Sequence, residues 1–423
     1  MLIKNLLLSL ALLLTPASAF AFGGDIVLDL GRGPVTVHVP ASYDPAVPTP
    51  FLLLLHPYSG SGAQIANYLG IQAVAEAKGF IYMRPNGTTN TFGIRFWNAT
   101  DACCDFQNSG VDDSGYLRDL LDAAKLQLNV DPARVHVAGH SNGGFMSYRM
   151  ACDHSESIAS IASLAGASFF DPNDCSPLLP VHVLQIHGTS DGTIGYNGGN
   201  NGGAPYPSAL GSVMQWVNFA GCDPGSTMGA PINLVSNIAG PETTVERFEA
   251  NCSSRGSGEL WSMIGAGHTP SISASFTNQV MDWLYAHPKP TPSTNYCAAN
   301  DHSGGRKAAI IATGSASIAE QDLQLIGYGA PAGTPAIFIA SQNQAQAVFG
   351  NGFLCLGGPI HRIQPARVTT QGGEAYRSLD FSAGYASILT PGTQVNFQLW
   401  FRDTAGGGAG FNTSDGCSVS LLP

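Results

Sequence analysis

The chain has 423 residues, 44% of them hydrophobic and only 11% charged, with 51 Gly and 27 Pro. Lys and Arg total 18 against 29 Asp and Glu, a formal charge of -11. High hydrophobicity with few charges excludes a disordered chain, and the acidic balance excludes a general nucleic-acid binder. The length leaves room for two or three domains with sizeable cores.

In chain order, Lys4, the apolar run Leu6–Leu14 and the small-x-small site Ala17-Ser18-Ala19 read as an export signal over residues 1–21. That run is too short to span a bilayer. No other stretch approaches about 18 apolar residues, so membrane insertion is not expected. Ile26–Leu30 and Val35–Val39 alternate as a hairpin around Gly31–Pro34. Phe51–Leu55 is a continuous apolar run, the mark of a strand covered on both faces. Gln64–Lys78 reads as one helix and Phe80–Met83 as a strand, followed by a helix over Asp113–Leu128 with apolar residues at helical spacing. Val135–Val137 and Val181–Ile186 are further buried strands with a helix between them, Leu260–Ile264 is strand-like, and Ser271–Tyr285 closes the unit as a helix. This alternation predicts an α/β domain over residues 22–286, a mostly parallel sheet flanked by helices.

Residues 287–296 are Pro-rich and read as an extended linker. Beyond them, Ala308–Thr313, Leu323–Tyr328, Ala336–Ala340, His361–Ile363 and Val395–Phe401 are short strand candidates with no convincing helix between them. Residues 297–423 are therefore expected to form a β-sandwich-like accessory domain. Nine cysteines in an exported chain point to disulfides, with Cys152–Cys175 and Cys222–Cys252 as first choices, the adjacent Cys103-Cys104 either bridged to each other or paired separately, and at least one thiol left over or joined to another chain. With no C-x-x-C and no H-E-x-x-H, neither a metal nor an organic cofactor is expected.

The chemistry concentrates at Val135-His136-Val137-Ala138-Gly139-His140-Ser141-Asn142-Gly143-Gly144, where an apolar strand enters Gly-x-Ser-x-Gly and a helical stretch follows. Flanking glycines permit the tight turn that exposes a serine hydroxyl, and the helix N-terminus favours a developing oxyanion. Such a serine needs a base oriented by a carboxylate, in the chain order Ser, acid, His. Asp191 follows a strand end in His187-Gly188-Thr189-Ser190-Asp191, and His268 sits in the Gly-rich loop Gly265-Ala266-Gly267-His268. Ser141, Asp191 and His268 are the expected triad. His187 reads as a structural histidine bonding the acid loop, His140 as packing, and His136 and His182 as strand residues. Asp112 and Asp113 fit helix N-capping, while Asp171 and Asp174 sit in a turn-rich loop. The oxyanion donors are expected from the backbone of Asn142 and of Tyr58 or Ser59, because Pro57 has no N–H. Trp97 and Tyr196 are candidate pocket walls.

The segments Gly139–Gly144, Phe96-Trp97-Asn98, Cys103-Cys104, Gly110–Asp113, His187–Asp191 and Gly267-His268-Thr269 resemble the secreted polyhydroxybutyrate depolymerase/feruloyl esterase family of the α/β-hydrolases, over roughly Asp25–His287. The resemblance implies extracellular cleavage of carboxylic esters in bacterial polyesters or on plant polysaccharides, with Ser141, Asp191 and His268 as nucleophile, acid and base. One departure is His56-Pro57, where many members carry His-Gly. The expected function is that of a monomeric, secreted serine esterase acting through an acyl-enzyme on a polymeric ester. A serine peptidase of the same fold, or a polymer-binding protein with an inert hydrolase half, are the alternatives.

Overall fold

The computed structural model describes residues 23–423, so the expected signal segment lies outside the described residues. A ten-stranded sheet organises the first part of the chain: β1 (Gly24–Leu28), β2 (Val35–Val39), β3 (Thr49–Leu55), β4 (Ile81–Arg84), β5 (Val130–His140), β6 (Ser160–Leu164), β7 (His182–Gly188), β8 (Thr227–Met228), β9 (Thr243–Phe248) and β10 (Gly258–Met263). The order is β1-β2-β4-β3-β5-β6-β7-β10-β9-β8. β4, β3, β5, β6, β7 and β10 run parallel, and antiparallel strands finish both edges. This is the sheet of an α/β-hydrolase.

The apolar run in β3 shows how the layers form. Phe51, Leu53 and Leu55 face a core shared with α3 (Asp113–Gln127) and α4 (Asn142–Asp153), while Leu52 and Leu54 face the opposite core. That second core packs under α1 (Gly62–Leu69), α2 (Ile71–Lys78) and α6 (Phe276–Ala286). The single helix expected over Gln64–Lys78 is broken at Gly70, whose φ of 59° caps α1 and starts α2. β6, β9 and α5 (Ala209–Phe219) have no clear sequence signal. In β6 the reason is chemical: Ser160 looks like a surface residue but its hydroxyl meets His136 Nδ1 on β5 at 2.7 Å, a satisfied buried pair.

The rest of the chain is antiparallel. Ser293–Tyr296, Phe411–Ser420, Gln394–Arg402, Pro335–Ser341 and His361–Val368 form a five-stranded sheet. Ala309–Thr313, Gln324–Tyr328 and Ala375–Ser378 form a three-stranded one, and a separate core including Ile310, Leu325, Phe338, Phe397 and Leu399 joins them. Four disulfides are present: Cys103–Cys104, Cys152–Cys175, Cys222–Cys252 and Cys297–Cys355, with Cys417 a buried thiol.

The Pro-rich stretch differs from an extended spacer. Lys289 is buried, its N–H donates to Ala133 O at 2.9 Å and its ammonium reaches the Glu156 carbonyl. Ser293–Tyr296 already belongs to the β-rich sheet. Across this seam Lys125 of α3 pairs with Glu374 at 2.6 Å and Arg255 with Asp322 at 2.8 Å. Arg255 Nη2 also donates to Thr313 Oγ1 at 2.7 Å. The two parts are thus joined by buried charges and hydrogen bonds, on the side where the parallel strands begin.

Candidate active site

β5 runs directly into Ser141, which turns at φ 55°, ψ -118° before α4 begins at Asn142. The left-handed φ and the tight strand–helix crossing leave no room beside the serine. A Cβ at Gly139 would lie 2.1 Å from Gly143 O, and one at Gly143 would lie 2.2 Å from Leu55 O. Glycine at both positions is a steric requirement of the turn. Ser141 is thereby held at the C-terminal end of the sheet and at the N-terminus of α4, where the helix dipole and free N–H groups are positive.

The structure brings Ser141, His268 and Asp191 together. His268 Nε2 lies 2.8 Å from Ser141 Oγ, and His268 Nδ1 lies 2.7 Å from Asp191 Oδ2. Asp191 sits just past β7, where its Oδ1 accepts the N–H groups of Thr193 and Ile194 at 2.8 and 2.9 Å. Burial alone would raise its pKa. Hydrogen bonds from His187 and His268, then the Thr193 N–H, outweigh that and hold the carboxyl well below the ordinary carboxylate range. Asp191 is therefore an anion that fixes a proton on His268 Nδ1 and leaves Nε2 free to accept the serine proton.

The neighbouring histidines support this arrangement. His187 donates from Nε2 to Ile194 O at 2.8 Å, with Asp191 Oδ2 at 3.3 Å, which shapes the acid loop as expected. His140 donates from Nε2 to the His268 carbonyl at 2.9 Å and so anchors the backbone of the loop carrying the imidazole. Burial pushes the His140 pKa down to about 4, so the ring stays neutral and available as this donor near neutral pH.

The backbone N–H groups of Asn142, the residue after Ser141, and of Tyr58 have no partner among the described residues. The N–H of Ser59 donates to Arg95 O at 2.8 Å, which removes Ser59 from the expected oxyanion donors. A positioning device with no mark in the sequence lies beneath Tyr58. Gly87 N–H donates to His56 Nε2 at 2.8 Å, so His56 carries its proton on Nδ1, which donates to Pro57 O at 2.8 Å. Gly60 N–H holds the same carbonyl at 2.9 Å. Because a peptide is planar, fixing the Pro57 carbonyl fixes the direction of the Tyr58 N–H. Burial lowers the His56 pKa to about 4 and keeps the ring neutral.

Trp97 is fully buried and donates from Nε1 to His56 O at 3.1 Å, so it is not the expected pocket wall. Its backbone instead meets Asn142, whose Oδ1 accepts the Trp97 N–H at 2.7 Å and whose Nδ2 donates to Trp97 O at 2.9 Å. This two-bond latch locks the first residue of α4 to the Phe96-Trp97-Asn98 segment. Tyr196 also departs from expectation: its hydroxyl bonds Ser262 Oγ on β10 at 2.6 Å and its ring meets His187 edge-on. Both aromatics support the site from behind. Asp112 caps α3 through Gly115 N at 2.7 Å, as expected. Asp113 departs from the expected capping role: it is the first residue of α3, and its buried carboxylate accepts from Arg32 (2.6 Å), Thr88 (2.7 Å) and the Asn98 N–H (2.8 Å).

The sheet and the hydrogen-bonded serine, histidine and aspartate together define an α/β-hydrolase with a serine-hydrolase-type site. Within that class the chain is a relative of feruloyl and acetylxylan esterases. It is 28% identical over 207 residues to feruloyl esterase B of Piromyces equi, covering 47% of this chain and 38% of that protein. It is 27% identical over 241 residues to feruloyl esterase C of Emericella nidulans, covering 50% of this chain and 82% of that protein. It is 30% identical over 166 residues to the putative esterase NocK of Nocardia uniformis, covering 39% of this chain and 47% of that protein. The chain thus spans under half the length of the first and last of these. Among solved structures, an acetyl xylan esterase from Aspergillus awamori aligns with 62% of this chain and 99% of its own, at 15% identity and a TM-score of 0.46. No family model matches the chain.

Proposed function

We propose that the chain is an exported serine esterase that cleaves carboxylic esters attached to a polymer, either feruloyl or acetyl groups on a polysaccharide or the ester bonds of a polyester. The observation that carries this reading is the unbroken Ser141–His268–Asp191 chain of hydrogen bonds, with the unpartnered N–H of Asn142 next to the serine. His268 Nε2 accepts the Ser141 proton as Oγ attacks the ester carbonyl, and the N–H groups of Asn142 and Tyr58 stabilise the oxyanion. His268 returns the proton to the departing alcohol, leaving an acyl-enzyme. Water then attacks by the same route. Asp191 stays ionised throughout and stabilises the imidazolium. Export is supported by the signal-like residues 1–21 and by four disulfides. Residues 22–286 form the catalytic unit and 297–423 an accessory unit.

Ser141→Ala tests the assignment. It is expected to lower kcat on methyl ferulate and on ethyl acetate by roughly 10⁴- to 10⁶-fold, without changing the melting temperature by more than a few degrees. Near-wild-type hydrolysis by this variant overturns the reading.

A further inference from the structure

Two stretches take no part in the proton transfers, Phe96-Trp97-Asn98 and the start of α3, yet a chain of hydrogen bonds joins both to the residue after the nucleophile. Asp113 opens α3 and is 1% exposed. Its Oδ1 accepts from Arg32 Nη1 at 2.6 Å and from Thr88 Oγ1 at 2.7 Å, and its Oδ2 accepts the Asn98 N–H at 2.8 Å. A buried carboxylate with one charged donor and two neutral ones is held in a single orientation. Arg32 is itself braced: Nη2 donates to Asp112 O at 3.2 Å, and the guanidinium lies 4.2 Å from the centre of the Tyr116 ring. Thr88 acts twice, because its backbone also pairs with Phe96 in a short antiparallel ladder.

The Asn98 N–H shares one planar peptide with the Trp97 carbonyl. That carbonyl accepts from Asn142 Nδ2 at 2.9 Å, and the Trp97 N–H donates to Asn142 Oδ1 at 2.7 Å. The carboxylate thus holds one side of a rigid plane whose other side holds Asn142. It also polarises that amide, since an anion on the N–H makes the carbonyl a stronger acceptor. Asn142 follows Ser141 directly and is completely buried. Its side-chain amide is engaged at both ends, while its backbone N–H has no partner among the described residues. The latch therefore orients the residue and leaves the donor free.

We propose that Asp113, braced by Arg32, is a positioning residue for the oxyanion site: it sets the Trp97–Asn98 peptide and, through the Asn142 latch, the direction of the N–H that receives the developing charge. The inference rests on Ser141 being the ester nucleophile. Donors of this kind work only when held within about 0.5 Å and 10–20° of the productive geometry. Asp113 touches no reacting atom, so its effect falls on the transition state and not on ground-state binding of the ester.

Asp113→Asn keeps the shape and removes the charge. Deleting an oxyanion donor costs about 10²- to 10³-fold in kcat, and loosening one is expected to cost about tenfold. On p-nitrophenyl acetate, kcat should fall by that factor with KM within twofold of wild type, and the pH profile of kcat/KM should keep its shape. The Ki of a trifluoromethyl ketone, whose tetrahedral adduct with Ser141 carries an oxyanion, should rise in step with the fall in kcat. Asn142→Ala cuts the latch, so adding Asp113→Asn to it should lower kcat by less than about twofold further. Arg32→Gln, at a side chain 30% exposed, should lose about threefold in kcat with the same non-additivity, and it carries the test if Asp113→Asn does not fold. An unchanged kcat, a loss through KM, a displaced pH profile, or losses that simply multiply in the double variants overturn the proposal. A Ser141→Ala enzyme as active as wild type on p-nitrophenyl acetate removes the esterase reading, and this inference with it.

Discussion

Replacing Lys125 by Met tests whether the hydrolase and the β-rich part unfold as one unit. Lys125 and Glu374 meet at 2.6 Å with side chains only 5% and 3% exposed. At an effective dielectric of about 20, opposite unit charges at that separation attract by about 6 kcal/mol. Removing both ions from water costs several kcal/mol each, so the intact pair comes close to break-even. Losing one partner does not. Lys125→Met strands Glu374 beside the buried Asp122, and breaking such a pair costs about 3–5 kcal/mol. Adding Glu374→Leu removes the stranded charge and is expected to recover most of that loss. The remainder is the lost hydrogen bond from the Tyr376 hydroxyl to Glu374, after which Ser157 Oγ at 3.0 Å is the partner left to that hydroxyl. The assay is urea unfolding at pH 8, followed by tryptophan fluorescence and circular dichroism, with the double-mutant cycle giving the coupling. A cost below 1 kcal/mol for Lys125→Met, or strictly additive costs in the double variant, refutes a water-excluded seam.

Asp122 gives that seam a pH dependence. Burial, reinforced by the Glu374 charge and opposed by Lys125, raises its pKa from 3.8 to about 6. The folded state then binds this proton more tightly than the unfolded one, so the contribution is full below about pH 4 and is lost as pH rises through about 6. The whole loss is about 3 kcal/mol. Asp122→Asn is expected to flatten the stability profile between those values, and an unchanged slope in melts from pH 4 to 7 rejects the assignment. At the site, His56→Ala removes one of the two hydrogen bonds that hold the Pro57 carbonyl and so loosens the direction of the Tyr58 N–H. It is expected to lower kcat on methyl ferulate by about 10²-fold with KM nearly constant, so a selective rise in KM argues against an oxyanion-positioning role. Gly143→Ala drives a methyl group to 2.2 Å from Leu55 O. A cost of at least about 1–3 kcal/mol in urea unfolding is expected, together with loss of activity; unchanged activity and stability contradict the tight elbow.

What the amino-acid sequence determines by itself is local. A strand entering Gly139-His140-Ser141-Asn142-Gly143 can be read because glycine is required where a Cβ would strike backbone, and a run such as Phe51–Leu55 because both its faces are covered. The positions of Asp191 and His268 are legible because they follow strand-like runs, at the sheet edge where loops gather. Contacts between distant segments leave no such mark. Asn142 latches Trp97 from 45 residues away, and Lys125 meets Glu374 from 249 residues away. Trp97 in a polar stretch looks like a wall until His56 is found beside it. Ser59 looks like a donor until Arg95 takes its N–H. Covalent neighbours dictate which turn a segment can make. Which donor stays free and which ring stays open depends on who else in the fold has already claimed the partner.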